Sequence, residues 1–525
     1  MKHLLTITSL LFYSLFTFGQ NQNISQGFVF DGEPYISIDP NNSQHMVVAW
    51  MSWTLLNRIV IKTKTTFDGG EIWSNAVILD HAVTGFTSAD PSLEFDHNGN
   101  IFASYVDYSG YDVSPFEGGV YVSKSADGGL SWGSPVEVIN IESDPGKRAI
   151  DRPWISIDRS GGDHNGTIYI TTMNAKESTI GYNPYLTVSV DGGNSFEPWR
   201  YLDTAGWLAG SFIIQPMPTP GLTSSGVFHA IYPSLVFTQN SLPQYILVSS
   251  IDGGNSFTYN SVFTSDTNPN DDLAKKGYLL IANPGDAEHL AFIYLDMPDG
   301  DIDVYMTESF DGGVTWSNGI RINDDSIANN RMQDLAWAAF DTDGDLVISW
   351  RDRRNGIDST YTTSSEIWAA VRKKDSEDFS ANFTLTDNIV AYDTILSFSG
   401  NDFMCIKLAD DTLNAVWGDT RSGKLNIWYQ GTSIDGVVQS IQLLSSEDFP
   451  KVNVFPNPVK TEITIEGIHL KQVIINDQSG KVVSTFNNAS GTDNWKIDLR
   501  TLPKGIYFLQ IETSEGIVAK KVVKE

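Results

Sequence analysis

The sequence predicts an all-β chain built from repeated four-stranded units closed into a ring, a β-propeller, and three observations carry that expectation. One motif returns at a near-constant interval: FDGGEIW at Phe67–Trp73, ADGGLSW at Ala126–Trp132, VDGGNSF at Val190–Phe196, IDGGNSF at Ile251–Phe257 and FDGGVTW at Phe310–Trp316. Their aspartates, Asp68, Asp127, Asp191, Asp252 and Asp311, stand 59, 64, 61 and 59 residues apart, a period that marks an array of supersecondary units. The stretches between them alternate apolar and polar residues with period two and show no helical periodicity. Finally, 41% hydrophobic residues with one cysteine, Cys405, in 525 positions supply a large core and exclude internal disulfides, so packing and hydrogen bonds must hold the fold.

In chain order, residues 1–20 come first. Lys2 and His3 precede an apolar run, and Thr17 and Gly19 are small residues placed for cleavage, which reads as a secretory signal peptide. No other stretch reaches membrane-spanning length. Residues 28–440 hold the repeats. Each unit opens on an apolar strand ending in an Asp- or Pro-containing turn, as in EPYISIDPNNS, DPSLEFDHNGN, DRPWISIDRSG and LAWAAFDTDGD. A second strand follows, such as MVVAWM, IFASYVD or LVISWRD, then a third such as VYVSKS or VYMTES that runs into the DGG motif. A fourth strand completes the unit. Extending the period predicts two degenerate motifs, at Asp375 and Asp435, and so seven blades, with six as the alternative. Residues 441–450 read as a linker. Residues 451–525 carry ten basic and eight acidic residues, unlike the acidic body, and their alternating strands broken by Asp-Gln-Ser-Gly and Pro-Lys-Gly turns predict a small β-sandwich.

The DGG motifs resemble the Asp-box, or BNR, repeat of the sialidase superfamily, with Ser125, Ser189, Ser250 and Ser309 supplying its leading serine. The resemblance implies a sialidase-like propeller in which each box turns the chain between a blade's third and fourth strands. The box itself reads as structural: aspartate accepts turn N–H bonds, and the glycines permit positive φ. The tail resembles the C-terminal sorting domain of the type IX secretion system of Bacteroidetes, through Asn453-Val454-Phe455-Pro456-Asn457-Pro458, Leu502-Pro503-Lys504-Gly505-Ile506-Tyr507 and the terminal Lys520–Lys524 run. That implies contact with the secretion machinery, followed by release or surface attachment.

With 64 acidic against 34 basic residues the net charge is -30, which argues against nucleic acid or an anionic membrane as partner. If the boxes occupy one face, the other face carries the first-strand starts and the turns between second and third strands. Those positions offer Glu33, Asp90, Asp151, Arg152, Arg331 and Asp402, with Tyr108, Tyr185, Arg353 and Arg421 at the turns. Arginines suit bidentate capture of a carboxylate, and sialidases grip their substrate's carboxylate that way, with an Asp acid and a Tyr nucleophile. The resulting expectation is a glycosidase acting on an extracellular, anionic glycan: Arg152, Arg331, Arg353 and Arg421 bind substrate, Asp151 is the acid/base, and Tyr185 or Tyr108 the nucleophile. Arg152-Pro153 departs from the family's Arg-Ile-Pro and stands in the third unit instead of the first. Two other classes stay open: a polysaccharide lyase working through His229 and Tyr232, and a binding or adhesion propeller without turnover. No cofactor is expected. The carboxylates of Asp341-Thr342-Asp343-Gly344-Asp345 could hold Ca²⁺ but stand where a hairpin turn belongs, and the histidines show no metal spacing.

Overall fold

The computed structural model describes residues 21–27, 29–54, 58–110, 116–175, 182–207, 217–234, 244–264, 277–360, 362–391, 401–435, 452–467, 469–477, 482–488, 492–513 and 517–525. The expected signal peptide (residues 1–20) and linker (441–450) lie outside these residues. Every regular element among the described residues is a strand. The chain divides into two compact units, residues 1–439 and 440–525.

Seven four-stranded antiparallel sheets form the first unit among the described residues. Blade 1 runs Asp31–Asp39, Asn42–Thr54, Arg58–Thr66 and Val77–Ile78, and blade 2 Thr87–Phe95, Ile101–Tyr108, Gly118–Ser125 and Val136–Asn140. Blade 3 is Asp151–Ile157, Ile168–Met173, Tyr185–Ser189 and Arg200–Tyr201; blade 4 is Thr219–Leu222, Phe228–Ser234, Gln244–Ser250 and Thr258–Thr264. Blade 5 is Tyr278–Ala282, Leu290–Asp296, Asp303–Ser309 and Ile320–Arg321; blade 6 is Gln333–Phe340, Leu346–Asp352, Glu366–Arg372 and Phe383–Thr384. The first strand of each blade touches that of the next, and the seventh returns to the first, which closes the ring.

Blade 7 differs from its expectation. Its own segment supplies Cys405–Ala409, Thr412–Asp419 and Asn426–Ser433, but the outer strand is Gln22–Asn23, with Gln22 opposite Tyr429 and Asn23 opposite Trp428. The propeller therefore begins ahead of residue 28. A ring assembled from one chain needs a lock between its ends, because an open end would leave an unpaired strand edge. Asn21 reinforces that lock: its amide donates to Leu385 O and Gln430 Oε1 at 2.9 Å each and accepts from Asp387 N and Arg421 at the same distance.

The five DGG turns share one geometry. A Ser or Thr two residues before each aspartate donates to its carboxylate, at 2.7 Å for Thr66–Asp68 and 2.8 Å for Ser309–Asp311, and accepts from the second glycine's N–H, at 2.8 Å for Gly313. The aspartate accepts the N–H four residues on, 2.8 Å in Asp311–Thr315. The second glycine lies against the preceding blade: a Cβ on Gly129 would strike Val47, on Gly254 Leu186, and on Gly313 Leu247. Trp132 Nε1 likewise donates to Thr63 of blade 1 at 3.0 Å. The turns thus join blades as well as reversing the chain. They share their face with the hairpins between first and second strands, since Gly69 N donates to Gln44 O and Gly312 N to Glu288 O.

The second unit, taken by itself, pairs a three-stranded sheet (Asn453–Phe455, Glu462–Glu466, Asn494–Asp498) with a four-stranded one (Val482–Asn487, Gln472–Asp477, Gly505–Glu512, Ile517–Lys524). In Gly505–Glu512, Tyr507, Leu509 and Ile511 are buried while Phe508 and Gln510 face out, the period-two signature of a strand with one buried face. Ile463, Ile465 and Ile497 of the other sheet join them in one core.

Candidate functional site

The face opposite the DGG turns carries a recurring distortion. In blades 1, 2, 3 and 6 the first strand slips register against the second, between Gly32 and Tyr35, Ala89 and Ser92, Asp151 and Trp154, and Asp334 and Trp337. Each bulge holds a non-glycine residue in the left-handed region: Glu33 (φ 52°), Asp90 (52°), Arg152 (49°) and Leu335 (52°). That conformation costs about 1–2 kcal/mol per residue, and such strain gathers where a side chain must be re-aimed. In the first three, proline follows at Pro34, Pro91 and Pro153, where a bulge needs no N–H for the ladder.

The re-aimed side chains meet across blades. Arg152 of blade 3 donates to Asp402, just ahead of the first strand of blade 7, at 2.9 Å, and its backbone N–H donates to Asp90 of blade 2 at 3.2 Å. The Glu33 carboxyl of blade 1 hydrogen-bonds Asp90. Blades 3 and 7 are not neighbours in the ring, so these groups converge at the central axis. Two residues further along their strands, Tyr35, Trp154 and Trp337 pack with Phe403, at centroid separations of 5.6 Å for Tyr35–Trp154, 5.5 Å for Trp154–Trp337 and 5.2 Å for Trp154–Phe403.

Burial holds the Glu33 carboxyl well above the usual carboxylate range, and the neighbouring Asp90 and Asp402 raise it further against the pull of Arg152. Burial and the neighbouring carboxyls therefore favour the neutral form of Glu33. Its Oε2 is buried without a hydrogen-bond partner. Burial works against the Arg152 charge, but Asp402, Asp151, Asp90 and Glu33 together outweigh it and raise its pKa.

The sequence-predicted residues fare differently. Arg152 is on the axis, but its guanidinium is 4% exposed and enclosed by carboxylates, so it does not present an open fork to an anion. Asp151 stands beside it, half-buried. Tyr185 lies opposite Thr172 and Asp151 opposite the next residue, Met173; residues facing adjacent positions point to opposite sides of a sheet, so the acid and nucleophile roles for Asp151 and Tyr185 are corrected. The Tyr185 hydroxyl donates to Asp144 at 2.9 Å and accepts from Asn174 at 3.0 Å, and burial, followed by Asp144, pushes its pKa far up. Tyr108 packs beside Phe116 against the core of blades 2 and 3.

The other arginines, expected to bind substrate, are engaged by groups of the protein. Arg353, 1% exposed, joins Arg351 on Asp334, with Arg353 at 3.1 Å; the two guanidiniums outweigh burial and hold Asp334 far below the carboxylate range. Arg421 bonds Asp419, Asp387 and Asn21 and stacks over Trp428 at 4.4 Å. Its equivalent Arg354 does the same with Asp352 and Trp368 at 4.0 Å. Arg331 donates to the Asp358 carbonyl, and its backbone N–H to Asp301 at 3.1 Å. The lyase pair also separates. His229 and Tyr232 are three apart on one strand, so they face opposite sides of it; burial lowers His229 to about 4, and its ring meets Ser249. Asp341–Asp345 forms a hairpin turn whose Asp345 and Asp343 carboxylates are paired with Lys373 and Lys374, and among the described residues no group of three His, Cys, Asp or Glu side chains is arranged for a metal ion.

Glu33, Asp90 and Asp402 stood among the strand-head positions of the sequence but were given no role. The readable signal was the ionisable residue immediately before a strand-head proline, repeated at Glu33-Pro34, Asp90-Pro91 and Arg152-Pro153.

Residues 453–525 match the family model described as the secretion system C-terminal sorting domain. The tail is a secretion sorting domain. It takes this chain along the type IX route to the cell surface or the extracellular space. No curated protein matches the chain. Among solved structures, a protein of unknown function from Dyadobacter fermentans is 14% identical, with 67% of this chain and 98% of that one covered at a TM-score of 0.40. A Hadza microbial sialidase, Hz136, is 12% identical over 73% and 74% at 0.44, and a Penicillium chrysogenum alpha-L-arabinanase 14% identical over 64% and 94% at 0.43.

Proposed function

We propose that the exported propeller is a glycoside hydrolase whose chemistry runs on the axial carboxyls. The observation that carries this reading is the buried Glu33 carboxyl against Asp90, its pKa raised by burial and by its acidic neighbours, with Asp402 beside them on Arg152. A buried carboxyl whose neutral form is favoured, set beside other carboxyl groups, is a feature that acid-assisted cleavage of a glycosidic bond uses. Glu33 and Asp90 are too close to serve as the separate acid and nucleophile or base of a glycosidase, which stand about 5 Å or more apart. They act as one proton donor, and Asp402 is the second carboxylate. With the carboxyls of Glu33, Asp90, Asp151 and Asp402 around one arginine among the described residues, the axis favours neutral sugars over the anionic glycan that the sequence suggests.

The test is release of reducing ends from neutral extracellular polysaccharides by the whole chain, beside Glu33→Gln and Asp90→Asn. Turnover that falls by a hundredfold or more in both variants supports the reading; turnover unchanged in Glu33→Gln sinks it. A second reading, in which the cluster only locks the axis, is favoured by the burial of Glu33 at 4% exposure. It predicts no product from any glycan, and a stability loss in Glu33→Gln.

A further inference from the structure

Blade 5 passes from its second strand to its third through Asp299-Gly300-Asp301-Ile302-Asp303. Asp301 and Asp303 are buried, at 7% and 0% exposure. The first strand of blade 6 starts alongside them. Arg331 N donates to Asp301 Oδ2 at 3.1 Å, and Gln333 N donates to Ile302 O at 2.8 Å, which sets the fully buried Gln333 next to Asp303.

We infer that Asp301 Oδ1, Asp303 Oδ2 and the Gln333 amide oxygen form a binding site for one calcium ion at the junction of blades 5 and 6. All three oxygens are buried, and none accepts a hydrogen bond among the described residues. A buried acceptor left without a partner is costly. Three at one junction call for a shared positive partner.

The other atoms of these side chains show why the partner is a cation. Gln333 Nε2 stands 3.4 Å from both Asp325 Oδ2 and Asp352 Oδ1. Turning the amide over would press its oxygen against two carboxylates, so the nitrogen stays on them and the oxygen stays without a donor. Asp303 Oδ1 accepts from Arg321 at 2.8 Å and from Asn323 at 2.6 Å, and the same Asn323 amide bonds Asp325 at 2.6 Å. Arg321 Nε is also without a partner, but its single N–H cannot serve three oxygens.

Charge points the same way. Asp301, Asp303, Asp325 and Asp352 gather here, while Arg321 and Arg354 supply the guanidiniums that pair with them. Burial raises the Asp303 pKa in spite of Arg321 and Asn323, and Asp301 raises it further; a divalent ion would offset that cost. The donors select the metal. Two carboxylates and a neutral amide are hard oxygen ligands of the kind calcium takes, with water completing its six to eight positions, whereas magnesium holds its own waters and demands a strict octahedron. The ion would clasp the entry to the third strand of blade 5 to the first strand of blade 6.

The experiment strips the full chain with EDTA, exchanges it into metal-free buffer, and titrates it calorimetrically with calcium chloride and, separately, with magnesium chloride. One calcium ion per chain, bound at least tenfold more tightly than magnesium, is expected, together with a melting temperature that rises with calcium concentration. Asp301→Asn keeps the shape of the side chain at the most exposed of the three positions and weakens calcium at least tenfold; Asp303→Asn does the same. Asp343→Asn, in the separate acidic hairpin of blade 6, keeps wild-type affinity. A stripped wild-type chain that binds no calcium saturably overturns the inference and leaves the oxygens to water, to a proton or to Arg321. Equal affinity for magnesium, unchanged calcium affinity in a folded Asp301→Asn, or its loss in Asp343→Asn overturns it as well.

Discussion

Arg152 of blade 3 and Asp402 of blade 7 bond at 2.9 Å across the centre of the ring, although 250 residues of chain separate them. The contact ties together blades that share no sheet edge. It also sets Arg152 among Glu33, Asp90, Asp151 and Asp402, whose charges raise its pKa against the cost of burial.

Arg152→Ala is therefore expected to destabilise the propeller by about 3–5 kcal/mol, because it strands buried carboxyls without their countercharge. Thermal unfolding of Arg152→Ala, Asp402→Ala and the double variant checks this. The double variant should be less damaged than the sum of the singles; strict additivity would dissolve the pairing.

Stability should depend on pH through Glu33. Its folded pKa is raised, mainly by burial, so the folded state holds a proton that the unfolded chain releases near pH 4.3. Stability is fully present below that value and declines as pH rises toward the folded pKa. Melting temperatures of wild type and Glu33→Gln from pH 4 to 8 should diverge in the variant's favour with rising pH. Parallel curves would show that Glu33 is ionised in the fold.

The DGG turns impose a dependence of opposite sign. Hydrogen bonds, chiefly from Ser195, Ser256 and Thr315, hold Asp191, Asp252 and Asp311 at about 2. Their contribution is present above the ordinary carboxylate pKa and is lost as pH falls from about 4 toward 2. Asp252→Asn should lower stability at neutral pH and flatten part of the acid unfolding limb measured by circular dichroism, so that variant and wild type converge as pH falls toward 2.

Two glycines of these turns separate backbone strain from packing. Gly192 (φ 73°) has no neighbour within 4 Å of an added Cβ, whereas at Gly313 (φ 88°) the Cβ would fall 2.2 Å from Leu247 of the preceding blade. Both alanine variants carry the strain of a left-handed residue, but only Gly313→Ala overpacks, so it should lose about 1–3 kcal/mol more in denaturant titration. Equal losses would mean that the turns do not pack between blades.

Ring closure gives the last prediction. Removing residues 21–23 takes away the outer strand of blade 7 and the four hydrogen bonds of the Asn21 amide. Limited proteolysis should then cut the segment around Asn426–Ser433, which stays resistant in the intact chain. Unchanged resistance would show that blade 7 holds with three strands.

What the sequence determined by itself was everything set by local pattern. Period-two alternation, a turn motif near every sixty residues and the glycines within it dictate strands, their order and the face on which the turns lie, because each depends on residues only a few positions apart. The tail was legible for the same reason, and so was the face carrying Glu33, Asp90, Arg152 and Asp402. What only the tertiary structure decided was the use to which each ionisable side chain is put. Arg152, Arg353 and Arg421 are the same letter at similar strand ends, yet one faces the axial carboxyls, one is buried on Asp334 and one is clamped to Asn21 at the ring closure. Those partners lie 250, 19 and 400 residues away. A charge in a low-dielectric interior is governed by what surrounds it in space, so its role is fixed only when the ring closes.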